Sequence, residues 1–211
     1  MNNNKIKICG ITDLSTANFC AENGADYLGF VSYNDSPRDI SFHKSKSIID
    51  QLSSPINTVA VTVNANKDEV KEIEDSGFNF IQCHGSETPD FLSAIKKTTS
   101  LKIIKTFGIS SHNDLVNVNK YSEFCDFFLM DAKPEGFEMP GGNAKKFNWD
   151  LLKDQNINTQ FFLSGGLDED NIEIAIKNNI TSLFDVSSGV ESSPGVKDTL
   201  KIKQFIDRVK Q

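Results

Sequence analysis

Ser164-Gly165-Gly166-Leu167 and Ser187-Ser188-Gly189-Val190-Glu191 each close a short apolar run, Gln160–Leu163 and Ser182–Val186, and each is followed by a helical pattern. Apolar runs of this length, bounded by turn residues, read as strands buried on both faces. Glycine at the end of such a strand lets backbone N–H groups come close to an anion, and the helix start that follows adds a partial positive charge. One Gly-Gly pair is as well explained by an ordinary turn. Two glycine-bearing turns after consecutive late strands fit the phosphate site that forms after strands seven and eight of a (β/α)8 barrel.

The rest of the chain repeats the same unit. Strand patterns fall at Lys5–Cys9, Tyr27–Val31, Thr58–Val63, Phe80–Cys83, Lys102–Thr106 and Phe127–Met130, with Gln160–Leu163 and Ser182–Val186 completing eight. Helical patterns follow them at Thr16–Asn23, Lys44–Leu52, Lys67–Ser76, Thr88–Lys97, Ser110–Tyr121, a short piece ending near Lys153, Glu169–Asn178 and Val196–Val209. Alternating strands and helices imply a parallel sheet with right-handed crossovers. Eight units favour closure into a single TIM barrel over residues 1–211 rather than an open doubly wound sheet. Met1–Asn4 is polar and reads as a frayed end.

Composition narrows the function classes. The chain has 211 residues, 38% hydrophobic and 24% charged, as in a water-soluble globular domain. Its net charge of −7 gives no general electrostatic case for nucleic acid or an anionic membrane as partner. No apolar run approaches the length of a membrane span and no signal peptide is evident, so a reducing, cytoplasmic setting is expected. Cys9, Cys20, Cys83 and Cys125 match no zinc or redox spacing, and Cys20 and Cys125 read as packing residues. No metal and no cofactor are expected, and oligomeric state is not readable.

Chemistry in a (β/α)8 barrel lies at the carboxyl ends of the strands. Cys9 ends strand one, where a thiol points into the barrel mouth as a base or nucleophile, or else fills core space. Asp131 ends strand six and is either a loop-bracing cap or an acid. Together they put a base and an acid on opposite sides of the mouth, an arrangement suited to proton transfer. Arg38, one of only two arginines, sits behind Pro37 in the loop after strand two, where it binds a carboxylate or phosphate or pairs with an acid such as Asp35. Gln82 and His84 end strand four and read as structural or substrate-positioning. Asp185, inside strand eight, is a charge that must be paired and reads as a brace for polar groups in the barrel.

In this constellation the chain resembles the phosphoribosylanthranilate isomerase family. The matching stretches are Lys7-Ile8-Cys9-Gly10-Ile11-Thr12, Gly24 to Phe30, Ser36-Pro37-Arg38, Gln82-Cys83-His84-Gly85, Asp131, Gly141-Gly142, Phe147-Asn148-Trp149, Ser164 to Leu167, Asp185 to Glu191 and Pro194 to Asp198. They run in family order along essentially the whole chain. The resemblance implies a cofactor-free Amadori rearrangement of N-(5-phosphoribosyl)anthranilate to 1-(2-carboxyphenylamino)-1-deoxyribulose 5-phosphate in tryptophan biosynthesis. It implies Asp131 as general acid, Cys9 as general base and Arg38 as the contact to the anthranilate carboxylate. Backbone N–H groups around Gly165, Gly166, Ser188 and Gly189 would hold the phosphate. The chain departs from the family in the loop after strand six, where Asn143-Ala144 follows Gly141-Gly142 in place of Thr/Ser-Gly, and in having Cys83 where the family often has Leu.

Related barrels fit less well. Indole-glycerol-phosphate synthase calls for catalytic Lys and Glu and a longer amino-terminal segment. The imidazole-pathway aminoaldose isomerase has Asp, not Cys, at strand one, and ribulose-phosphate epimerase needs a metal-ligand set. From another class, the chain could be a catalytically retired barrel that binds a phosphorylated metabolite.

Overall fold

A computed structural model describes residues 3–133 and 147–211. Eight parallel strands close on themselves in chain order: β1 (Lys5–Cys9), β2 (Tyr27–Ser32), β3 (Asn57–Thr62), β4 (Phe80–Cys83), β5 (Lys102–Ile109), β6 (Phe127–Ala132), β7 (Phe161–Leu163) and β8 (Leu183–Val186). The last strand pairs with the first, in a register that sets Lys7 opposite Asp185. The barrel expected from the alternation is therefore present, with α1 (Leu14–Glu22), α2 (Phe42–Ile49), α3 (Lys67–Asp75), α4 (Pro89–Thr98), α5 (Ile172–Lys177) and α6 (Thr199–Lys210) around it.

Side-chain alternation along each strand divides the apolar residues in two. One set, including Ile6, Ile8, Leu28, Ala60, Ile81, Ile103, Phe128 and Phe184, packs outward against the helices. The other fills the barrel, where Tyr27, Phe80, Phe127 and Phe162 meet with centroids 5.2–6.4 Å apart, edge to face except for the tilted Phe80–Phe127 pair. This aromatic layer plugs the amino-terminal end, so the polar residues one and two layers higher face the opposite mouth.

Local chemistry starts the helices. Asp13, Ser41, Thr88 and Asp198 each accept a hydrogen bond from an amide of the first turn, and Asn66 and Glu69 form a reciprocal capping box. Four expectations need correction. Ser110–Tyr121 forms two 3-10 turns, His112–Leu115 and Val118–Tyr121, instead of an α-helix. Asp114 draws in the amides and hydroxyls of Ser110 and Ser111, which are local bonds that compete with a helix. The short piece before Lys153 is likewise a 3-10 turn, Trp149–Leu152.

The helix expected from Val196 begins only at Thr199, because Glu191–Ser193 (β9) and Val196–Lys197 (β10) first form a small antiparallel hairpin. Gly195 turns this hairpin at φ +82°, with Pro37 O so near that a Cβ would stand 2.4 Å from it. Finally, Asn4 is not frayed. It is buried, its side-chain amide donates to Val209 O at 3.2 Å, and its carbonyl accepts from Lys210 Nζ at 2.9 Å. Gly141-Gly142-Asn143-Ala144 lies outside the described residues.

Outside the barrel wall, Lys105 and Glu87 form a buried ion pair at 2.9 Å. Lys105 Nζ also donates to the carbonyls of Cys83 and Gly85, and Glu87 accepts from the amides of Asn64 and Gly85. The network ties the loop after β4, which carries His84, to β3 and β5. Glu87→Ala leaves the ammonium buried without its carboxylate. We expect a loss of about 3–5 kcal/mol in stability, read as a lowered urea midpoint at unchanged m-value.

Candidate active site

The carboxyl end of the barrel opens into a cleft, and Cys9, Arg38, Gln82, His84, Asp131 and Asp185 all line it. Cys9, at the end of β1, and Asp131, on β6, thus line one cleft. Both are buried, at 7% and 6% exposure, so each ionisation depends on its neighbours.

Asp131 accepts a hydrogen bond from the amide of Ala132 at 2.8 Å. Burial, followed by the nearby Asp185 carboxylate, pushes its pKa up to about 7. It is therefore a carboxylic acid that still carries a proton near neutral pH, the state a general acid requires. Gly165 makes room for it. A Cβ there would lie 2.8 Å from Ala132 N and 3.2 Å from Asp131 Oδ1, and Gly165 holds φ +82°.

His84 Nε2 stands 3.6 Å from Asp131 Oδ2, while Gln82 Nε2 reaches His84 Nδ1 at 3.2 Å and Thr106 Oγ1 at 3.2 Å. With the amide donating, Nδ1 accepts and the ring proton sits on Nε2, toward the acid. Burial, then the charges of Lys105 and Lys7, lower the His84 pKa to about 3, so the imidazole is neutral. The carbonyl oxygen of Gln82 is buried and has no hydrogen-bond partner among the described residues.

Cys9 sits above the pair formed by Lys7 Nζ and Asp185 Oδ1, 2.7 Å apart and buried. Asp185 Oδ2 also accepts from Ser164 Oγ at 3.0 Å. Asp185 is therefore braced, as its position required. Lys7 is the residue that the sequence reading passed over. The alternation of Lys5-Ile6-Lys7-Ile8-Cys9 puts it on the same face as Cys9, and a lysine inside a doubly covered strand needs an acid partner.

Arg38 lines the cleft, but its acid partner is Glu191 rather than Asp35. Nε and Nη2 each donate to one Glu191 oxygen at 2.8 Å. Lys197 Nζ joins the same carboxylate at 2.8 Å and Gly195 N reaches it at 3.2 Å. One carboxylate therefore holds both basic groups, with burial lowering the Lys197 pKa against the pull of Glu191. Two of the five guanidinium N–H donors are spent on Glu191, which leaves the others for an anion. Lys197 and the β9–β10 hairpin were not anticipated, because the turn at Pro194-Gly195 reads equally well as a helix approach.

The two glycine loops touch. A Cβ on Gly189 would fall 1.9 Å from Leu167 O, so the chain after β8 can approach the chain after β7 only as glycine. Ser188–Val190 is a 3-10 turn whose first amides lack partners within the turn by its geometry. Gly189 is in this way brought against the loop that carries Gly165 and Gly166, while none of Gly165, Gly166, Ser188 and Gly189 lines the cleft itself. Among the described residues, no group of three or more His, Cys, Asp or Glu is placed to hold a metal ion, and no helix is long and apolar enough to cross a membrane.

Residues 6–208 match the family model for N-(5'-phosphoribosyl)anthranilate isomerase. Curated relatives with that name include one from Agrobacterium fabrum, 39% identical over 97% of this chain and 94% of its own, and one from Petrotoga mobilis, 40% identical over 97% and 96%. The crystal structure of the Thermotoga maritima isomerase superposes with a TM-score of 0.88 at 36% identity, covering 98% of both chains. A phosphoribosylanthranilate isomerase crystallised with reduced 1-(o-carboxyphenylamino)-1-deoxyribulose 5-phosphate superposes at 0.85 with 34% identity, again over 98% of each.

The raised pKa of Asp131 has a consequence for stability. Folding increases its proton affinity, so its favourable linkage is full below the ordinary carboxyl range near 4 and is lost as pH rises through about 7. Asp131→Asn removes the ionisation. At pH 8 it should unfold at higher urea than the wild type, by roughly 1–4 kcal/mol, and the difference should shrink below pH 5. Equal midpoints at both pH values would contradict the raised pKa.

Proposed function

This chain belongs to the N-(5'-phosphoribosyl)anthranilate isomerase family, and from that premise we propose that Asp131 and Cys9 are the acid and base of its reaction. The enzyme is an aldose–ketose isomerase of tryptophan biosynthesis. It converts N-(5-phosphoribosyl)anthranilate to 1-(2-carboxyphenylamino)-1-deoxyribulose 5-phosphate. The observation that carries the assignment is a buried carboxyl and a buried thiol lining one cleft, with burial raising the carboxyl pKa.

The Asp131 O–H donates its proton to the ribose ring oxygen. The C1–O bond breaks, and the anthranilate nitrogen lone pair forms the C=N bond of a protonated Schiff base. Cys9, as thiolate, removes the proton from sugar C2, and the C2–H electron pair becomes the C1=C2 bond of an enolamine while the C=N electrons return to nitrogen. Tautomerisation to the ketone completes the rearrangement. No electrons leave the substrate, and the Schiff-base nitrogen supplies the electron sink. Neutral His84, held by Gln82, supports Asp131 by offering an N–H to its carboxylate after proton transfer.

Arg38 supports binding of the anthranilate carboxylate, since it lines the cleft and Glu191 takes only two of its N–H donors. The loops carrying Gly165, Gly166, Ser188 and Gly189 support binding of the phosphate, through backbone N–H groups and a turn start. The free cysteines support a cytoplasmic setting.

The test is loss of anthranilate-type fluorescence when purified protein meets freshly generated phosphoribosylanthranilate. Cys9→Ala and Asp131→Asn should each lower kcat by about 10²–10⁴-fold with the fold intact. Near-normal turnover in either variant removes that residue's role. Binding of the product with no turnover by the wild type would instead favour a retired, ligand-binding barrel. The acid must be protonated while the base is ionised, and burial raises both groups, so kcat/KM should climb with pH to about 7, level off, and fall only after the thiol has titrated; a profile that falls directly from about pH 7 would contradict the raised thiol pKa.

A further inference from the structure

Cys9 and Lys7 lie on the same face of β1, and both pass over Gly29 of β2. A Cβ at Gly29 would stand 2.9 Å from Cys9 Sγ and 3.2 Å from Lys7 Cε, so the glycine leaves the space in which the two side chains meet. Lys7 is wholly buried, and its hydrogen-bonded anchor is Asp185 Oδ1, its register partner on β8. Asp185 is in turn fixed by Ser164. The ammonium therefore cannot swing to solvent, and the thiol above it is the ionisable group at the cleft floor that it meets from its own strand. We propose that Lys7 is a positioning residue for the base, its ammonium lying beside the Cys9 sulfur and lowering the cost of forming the thiolate beneath the substrate. The proposal rests on the reading of Cys9 as that base.

The charges around the sulfur support this. Burial raises the Cys9 pKa. Lys7 is the leading charge that opposes the rise, Asp185 adds to it, and Lys197, behind the loop after β8, opposes it more weakly. Asp131, His84 and Arg38 face the same cleft, and His84 is neutral. For Asp131 the order is reversed, with Asp185 the leading charge and Lys7 a smaller one. The pair is thus an oriented dipole inside the barrel, its cation toward the base and its anion toward the acid. A thiolate and a neutral carboxyl are together the reactive state, and this orientation favours both at once.

The test follows Cys9 itself. Iodoacetamide modification of the Cys9 peptide, quantified by mass spectrometry across the pH range in which a thiol titrates, gives the thiolate fraction without reference to turnover. In Lys7→Met the midpoint should rise by about one unit or more, with about tenfold slower modification below it. The alkaline break of kcat/KM should move the same way, with a lower plateau. Lys7→Met strands the Asp185 carboxylate, so Lys7→Met/Asp185→Asn, which removes both charges, serves where the single variant does not fold. It should also keep a raised midpoint, because Lys7 is the stronger influence on the sulfur. An unmoved alkylation midpoint in the folded variant, with Cys9→Ala inactive, overturns the proposal and leaves the base assignment standing. Near-normal turnover of Cys9→Ala overturns the base assignment instead.

Discussion

Closing the barrel between β1 and β8 is the constraint on which the site depends. Parallel strands buried on both faces must carry apolar side chains or paired polar ones. At the closing seam the register sets Lys7 beside Asp185, and neither charge is tolerable there without the other. The pair joins the first strand to the last, and through Ser164 it reaches the chain after β7. Cys9 stands one layer above. The ionic contact that lets the seam bury its charges is also the floor of the active site.

A plugged floor and a polar mouth then divide the barrel by function. The Tyr27, Phe80, Phe127 and Phe162 rings interlock at the amino-terminal end and exclude water from below. Above them the interior turns polar, through Lys7, Gln82, Thr106, Asp131, Ser164 and Asp185. Low polarisability in this space strengthens each electrostatic influence, so burial, aided by Asp185, keeps Asp131 protonated, and Lys7 opposes the cost that burial sets on a thiolate at Cys9. Glycine at 29, 165 and 189 supplies the close approaches that larger residues would block.

At the rim, the β9–β10 hairpin performs a second closure. It carries Glu191 and Lys197 onto Arg38, so that the loop after β2 and the loop after β8 meet through one shared carboxylate. This fixes the guanidinium instead of leaving it on a mobile loop. A cation so held loses little conformational freedom when an anion arrives. The same hairpin leans on Pro37 at Gly195, which explains why Ser36-Pro37-Arg38 and Pro194-Gly195 belong to one device though they lie far apart in the chain.

Strand alternation and turn residues are local properties, and from them alone the eight strand positions, the barrel and the placement of Cys9 and Asp131 at strand ends were readable. The family motifs added the reaction. Local competition hid the two 3-10 turns near Asp114, since hydroxyl and carboxylate bonds overrode a pattern that otherwise suits a helix. What sequence could not supply was partnership. Lys7 with Asp185, Arg38 with Glu191 and Lys197, and His84 with Asp131 join residues brought together only when the barrel closes. Burial and the nearness of particular charges decide ionisation, and both are set by three-dimensional neighbours. The sequence by itself thus determined which groups face the mouth, and the tertiary structure decided which of them carry a proton.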